Sequence, residues 1–308
     1  MVPVAEQKYT KTGIVEQPWY LKDYKELLKV KGRLIPVVQK ELLIEYHEKS
    51  QNRDTDYLHP SELSKKDWCG RAAWYKINKY PATPDKYSFS RLNVFEEGNN
   101  IHKKWQAWLH KAGILWGIWS CAECQTIWHA KSPTSCARCS SSRISYREVP
   151  LRDDEHRIIG HADGEIEDDK GRALIEIKSV GLGTVRWDNP SLYRAYADKE
   201  LTLDGLWDNI KRPFASHLRQ GNIYMHCRKV DTIIFIYEWK PTQQVKEFEV
   251  KFQPEVVAPI LENCKMIMDH LESDTVPDKP EWAVNKSCNG CKYCPYKEVC
   301  WNGKTSAK

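Results

Sequence analysis

The sequence predicts a mixed α/β fold, a central sheet flanked by helices, from three kinds of hydrophobic spacing. Tyr24 to Lys31, Val37 to His47 and Phe95 to Leu109 carry apolar side chains at helical intervals. From Tyr146 the pattern turns to strands, YREVPL, RIIGHADGEIE and ALIEIKSV, with DDEH and DDKG as turns, which reads as an antiparallel meander. Further on, IIFIYEW is a nearly continuous apolar run, the pattern of a strand buried on both faces.

The remaining elements follow in order. Ser61 is a candidate cap for the segment leading into Cys69, and the loop PATPDKYS separates Trp74 and Tyr75 from the next helical run. A helix is expected across His217 to His226, and VKEFEVKF alternates as a half-exposed strand. Pro254 to Leu271 places Val257, Ile260, Leu261, Cys264, Ile267, Met268 and Leu271 on one helical face, so Cys264 reads as core. Four parts result: a helical part over residues 1–112, a short cysteine-bearing insertion over 113–148, a strand-rich core over 149–252, and a C-terminal helix with a cysteine cluster over 253–308.

At 308 residues, 41% of them apolar, the chain is long enough for one large or two small cores. Its longest apolar stretches, such as Ile233 to Tyr237, fall far short of the roughly 18 residues that suggest a membrane span. The N-terminal MVPVAEQKYT lacks the order of a signal peptide, so a cytoplasmic location with no membrane partner is expected. In a reducing compartment, eleven cysteines point to metal or cluster binding rather than disulfides. A net charge of +5 permits a nucleic-acid partner without requiring one.

The chemistry concentrates in GHADGEIEDDKGRALIEIKSV. Asp163 ends one expected strand, and Glu176 and Lys178, two apart on the next, share a face. Phosphodiester hydrolysis needs carboxylates to hold a divalent ion that activates water, and a cation beside the developing charge. Taken alone, Glu-x-Lys also arises from charge alternation on an exposed strand. His102 in GNNIHKKW adds an imidazole ligand for a divalent ion, and Gln220 and Tyr224, one helical turn apart, add an amide and a phenol on one face.

The order G-x-x-x-H (Gly98 to His102), G-H-x-D (Gly160 to Asp163), E-x-K (Glu176 to Lys178) and Q-x-x-x-Y (Gln220 to Tyr224) resembles the RecB-type branch of the PD-(D/E)XK nucleases. The resemblance implies a restriction-endonuclease-like core in which His102, Asp163 and Glu176 hold Mg²⁺ or Mn²⁺. It also implies that Lys178 assists the attacking water and that Gln220 and Tyr224 support substrate positioning. The expected activity is metal-dependent hydrolysis of DNA, exonucleolytic on single strands, with replication or recombination proteins as candidate associates. The alternative is a non-cleaving nucleic-acid-binding or adaptor protein with the same fold. Oligomeric state stays open.

Cys69, with Cys291, Cys294 and Cys300, resembles the iron-sulfur staple of AddB-like nucleases and CRISPR-associated Cas-four-type exonucleases, which implies a 4Fe-4S cluster. A local set of Cys288, Cys291, Cys294 and Cys300 is chemically feasible as well, for a cluster or for zinc. Within the insertion, Cys121 with Cys124 and Cys136 with Cys139 form two C-x-x-C knuckles, the ligand pattern of a zinc ribbon, leaving His129 unnecessary. The terminal GKTS is not a P-loop, because Glu298 stands at the required first glycine.

Overall fold

A computed structural model describes residues 32–51, 53–83 and 88–302. The expected helix over Tyr24 to Lys31, residues 84–87 of the PATPDKYS loop and the GKTS tail lie outside the described residues. The chain divides into two compact units, Met1–Arg53 with Lys86–Phe95, and Asp54–Asp85 with Glu96–Lys308.

Among the described residues, four helices precede the first strand: α1 (Ile35–Gln51), α2 (Pro60–Leu63), α3 (Gly70–Ile77) and α4 (Phe89–Lys111). In the first unit, Tyr46 of α1 meets Phe95 of α4 with ring centroids 5.6 Å apart, and the Arg91 guanidinium lies over the Phe95 ring. Ser61 is not a cap. It lies inside α2, which is capped at His59 and opened by Pro60, and Cys69 occupies the cap position of α3. Proline fixes the starting φ and has no amide to leave unpaired, so the helix begins at Pro60 whatever the hydroxyl at 61 offers.

The second unit is built on the strands β1 (Trp116–Cys121), β2 (Ile127–Lys131), β3 (Ile144–Arg147), β4 (Val149–Asp153), β5 (Ile158–Ala162), β6 (Gly164–Asp168), β7 (Gly171–Val180), β8 (Thr232–Trp239) and β9 (Val245–Lys251). The central sheet runs β2-β1-β6-β7-β8-β9, with β3 pairing β1 off that path. Its one parallel pair is β7 with β8, so the sheet is mixed. A parallel pair needs a long crossover, and this one contains α5 (Leu182–Asp188), α6 (Pro190–Ala197), α7 (Leu203–Asp208) and α8 (Ala215–Arg228). The chain then continues through α9 (Pro254–Glu272), α10 (Asn289–Lys292) and α11 (Lys297–Trp301).

The period-2 pleat sorts the core onto two faces. Leu174, Val180, Phe235, Tyr237 and Trp239 pack with Tyr224 and Met225 of α8, while Ile175, Ile177 and Ile236 pack with Ile101 and Trp105 of α4. The approach of α8 is close enough that a Cβ at Gly221 would meet Phe235 Cζ at 2.5 Å. As expected from IIFIYEW, β8 is buried along nearly its whole length. Cys264 is fully buried on α9 between Ile260 and Ile267. No helix among the described residues is long and apolar enough to cross a membrane.

The expected meander is broken. RIIGHADGEIE is two strands that part at Asp163: β5 pairs β4 in a separate two-stranded sheet, and β6 pairs β7 in the central one. A Cβ at Gly164 would meet Leu115 Cδ1 at 2.6 Å, so the chain passes close to Leu115 where it changes sheets. The cysteine-bearing stretch is likewise continuous with the central sheet, because Trp116 of β1 pairs Glu165 of β6.

Candidate functional site

The break at Asp163 opens the site. The β6–β7 ladder ends at Gly164 opposite Ile175, and the next β7 amide on that edge, Ile177 N–H, donates to Asp163 Oδ2 at 2.6 Å. A carboxylate thus caps a ladder that the diverging chain leaves open, as a buried amide requires. Asp163 is held from behind as well, its carbonyl accepting from Gln106 Nε2 at 3.1 Å and from the Tyr146 hydroxyl at 2.9 Å. Its other oxygen, Oδ1, lies 2.8 Å from His102 Nδ1 on α4.

Glu176 and Lys178 share the α8-facing side of β7, with Lys178 Nζ 2.6 Å from Glu176 Oε1. Lys178 also donates to Gln220 Oε1 at 2.8 Å, and Gln220 Nε2 donates to the Tyr224 hydroxyl at 2.6 Å. All six residues singled out from the sequence therefore fall in one connected region of the second unit. Three donor atoms that meet within 4.8 Å of one another come from His102, Asp163 and Glu148, so the geometry adds Glu148 to the imidazole and aspartate and leaves Glu176 against Lys178.

The charges explain the shifts. Burial, opposed by the Lys178 ammonium and aided by Asp163, pushes Glu176 up to about 7. Burial and then the Asp163 charge raise Glu148. For His102, burial acts downward, but the hydrogen bond to Asp163 and the charges of Asp163 and Glu176 prevail and raise it. Carboxyl groups raised chiefly by burial are groups that a divalent cation placed beside them would draw toward the charged form.

Sequence reasoning missed Glu148, Gln106 and Tyr146. For Glu148 a signal was present: the β4–β5 hairpin pairs Val149 with Ala162, and one step further along both chains stand Glu148 and Asp163. Counting register back from the DDEH turn places the two carboxylates side by side. The sequence reading also missed a groove of ≈ 720 Å³ that runs past Lys178 and Gln220, lined by Lys65, Lys66, Arg219 and Trp187, a residue 75% exposed.

At the end of β1, Cys121, Cys124, Cys136 and Cys139 bring their sulfurs within 4.8 Å of one another. Cys121 Sγ lies 3.6 Å from Cys139 Sγ, and Cys124 Sγ 3.5 Å from Cys136 Sγ. Zinc–sulfur bonds of about 2.3 Å at tetrahedral angles place sulfurs ~3.8 Å apart, so this four-cysteine set fits one such ion. Both knuckles turn on a left-handed residue directly after the second cysteine, Gln125 and Ser140. His129 is occupied elsewhere, stacked on Trp116. We predict that changing Cys121 and Cys124 to Ser removes one zinc equivalent per chain, read by mass spectrometry of the purified protein; an unchanged zinc content overturns the assignment.

Cys69, Cys291, Cys294 and Cys300 line a single pocket between α3 and the C-terminal helices, beside Tyr75 and Tyr296. No three of these sulfurs meet within 4.8 Å, unlike those of the ribbon. Cys288 does not line this cavity. It borders the groove with Lys178.

No family model matches the chain, and no curated protein does. Solved structures show a distant likeness of fold. The protein SSO0001 is 16% identical with a TM-score of 0.40, over 88% of this chain and 98% of its own. The alkaline exonuclease LHK-Exo from Laribacter hongkongensis is 11% identical with a TM-score of 0.36, over 71% of this chain and 89% of its own; its complex with dAMP gives 10% and 0.39 over the same shares.

Proposed function

We propose that the chain is a divalent-metal-dependent deoxyribonuclease of the RecB-type PD-(D/E)XK class, acting as an exonuclease on single-stranded DNA. The observation that carries this reading is the break at Asp163, where His102, Glu148 and Asp163 converge beside Glu176 and Lys178. These oxygen and imidazole donors suit Mg²⁺ or Mn²⁺. Such an ion, when bound, supplies Lewis-acid activation of water and screens the scissile phosphate. Asp163, fixed by the Ile177 amide, and His102 and Glu148 beside it would hold that ion; Glu176 completes the carboxylate wall. Lys178 places its ammonium at the edge of that wall, oriented by Gln220, which Tyr224 orients in turn. A positioned cation there stabilises the pentacovalent phosphorane charge.

The adjoining groove supports a single-stranded substrate. Lys65, Lys66 and Arg219 offer phosphate contacts and the exposed Trp187 offers a stacking face for a base. The test is digestion of end-labelled single and double strands by anaerobically purified protein with Mg²⁺, Mn²⁺ or EDTA. Divalent-dependent release of nucleotides from single strands is expected. Tight binding without cleavage under all three conditions would mark a non-cleaving binding protein instead.

A further inference from the structure

On the side of α8 away from Lys178, the turn of the β4–β5 hairpin meets the C-terminal end of the helix. His156 Nδ1 lies 2.8 Å from Asp153 Oδ2, and His226 Nε2 lies 3.0 Å from the same oxygen. The His156 amide donates to Asp153 Oδ1 at 3.2 Å. One donor atom from each of the three side chains falls within 4.8 Å of the others.

The Asp153 carboxylate is 12% exposed, and its ion-pair partners among the described residues are these two histidines, with no lysine or arginine. Burial works to raise its pKa, but the hydrogen bonds from His156 and His226 hold it below the ordinary value, so it carries its charge at neutral pH. No lysine or arginine among the described residues pairs with this carboxylate, and a largely buried carboxylate without a permanent counter-charge is costly. The Asp153 charge reaches further: after burial, it is the next cause that holds the Cys227 and Cys264 thiols up to about 12.

We propose that Asp153, His156 and His226 form a second metal site, for a borderline divalent ion of the zinc class, separate from both the candidate nuclease centre and the cysteine ribbon. Two imidazoles and one carboxylate are a ligand set for such an ion, with the remaining position left to water on the exposed side of His226. Metal–ligand bonds of about 2.0–2.1 Å at tetrahedral angles place neighbouring donors ~3.3 Å apart. The two imidazole-to-carboxylate spacings of 2.8 and 3.0 Å need open by only a few tenths of an ångström to match, and the two imidazole donors already lie within 4.8 Å of one another. The ion supplies the positive charge that Asp153 lacks.

The site ties two limbs of the candidate active centre together. At its far end the hairpin runs into Glu148 and Asp163, and on its preceding turns α8 carries Gln220 and Tyr224. A metal clamp at the near end fixes the hairpin against the helix.

The test uses the full chain in an Asp163→Asn background, so that the nuclease centre contributes little, with the ribbon and the C-terminal cysteine site already loaded. Calorimetric titration with Zn²⁺ should show one further saturable equivalent, and Zn²⁺ should raise Tm. The His226→Gln variant keeps an amide able to hydrogen-bond Asp153, and should bind that equivalent at least tenfold more weakly and lose the Tm response. His156→Gln serves the same purpose should His226→Gln fail to fold. Absence of the extra equivalent in the parent chain, or unchanged affinity in a folded glutamine variant, overturns the proposal and leaves a hydrogen-bonded pin.

Discussion

Cleavage by the Asp163→Asn protein is expected to fall on the order of a thousandfold or more, with the fold retained. Asparagine keeps an oxygen for the Ile177 amide, which Asp163 now satisfies at 2.6 Å, but it gives up the charge that would hold a divalent ion. Alanine is the poorer probe, because it orphans that buried amide at a cost of about 1–3 kcal/mol. Activity is read on single-stranded DNA with Mn²⁺ and folding by circular dichroism. A folded Asp163→Asn chain with full activity would sink the nuclease assignment at this site.

The same centre carries a pH dependence. Burial pushes Glu176 up to about 7 in the folded chain, from an ordinary value of 4.5. A carboxyl raised in this way favours the fold most at low pH, and that contribution is lost as pH climbs from the lower value through the higher. Metal binding runs against the same proton. An ion held beside Glu176 must displace it, so the apparent affinity for Mg²⁺ or Mn²⁺ should be weaker at about pH 6 than at about pH 8. Equal affinities at the two pH values would show that Glu176 stands outside the metal's reach.

Positions read from local periodicity are found where the spacing put them. Glu176 and Lys178 share a strand face because side chains alternate, and Gln220 reaches Tyr224 because residues four apart on a helix are neighbours. The paired knuckles converge because each C-x-x-C is a single turn. What escaped the sequence depends on contacts between distant segments. Glu148 joins His102 and Asp163 only through hairpin register, and the exposed indole of Trp187 meets Lys65 and Lys66 only once the chain has folded. The strand RIIGHADGEIE looked continuous because its pattern survives the break; what parts it is pairing with distant segments, β4 for the first half and β7 for the second. Ser61 looked like a cap because hydroxyls favour helix starts, but the helix starts at Pro60 with His59 as its cap, two residues earlier than a Ser61 cap would place it.

The cysteine cavity yields the other large effect. Cys69 stands at the start of α3, and its three partners lie at the C-terminal end, so a cluster bound by all four closes a loop of roughly 220 residues. Chain entropy alone values such a closure at about 5 kcal/mol, an upper figure here because other links already join the same segments. Arg71 Nη1 donates to the Pro277 carbonyl at 2.8 Å, the Thr83 amide donates to the Pro295 carbonyl at 2.8 Å, and Trp74 Nε1 donates to the His270 carbonyl at 3.3 Å. Those bonds keep α3 in place without a cluster, so Cys69→Ala should leave a folded chain that has lost its brown iron-sulfur absorbance and melts several degrees lower. Cys288 borders the groove rather than the cavity, so Cys288→Ala should leave both the absorbance and the melting temperature unchanged. Iron content after anaerobic purification separates the two ligand sets: if Cys69→Ala retains its iron while Cys288→Ala loses it, the four C-terminal cysteines hold the cluster among themselves and no thiolate ties the two ends of the unit.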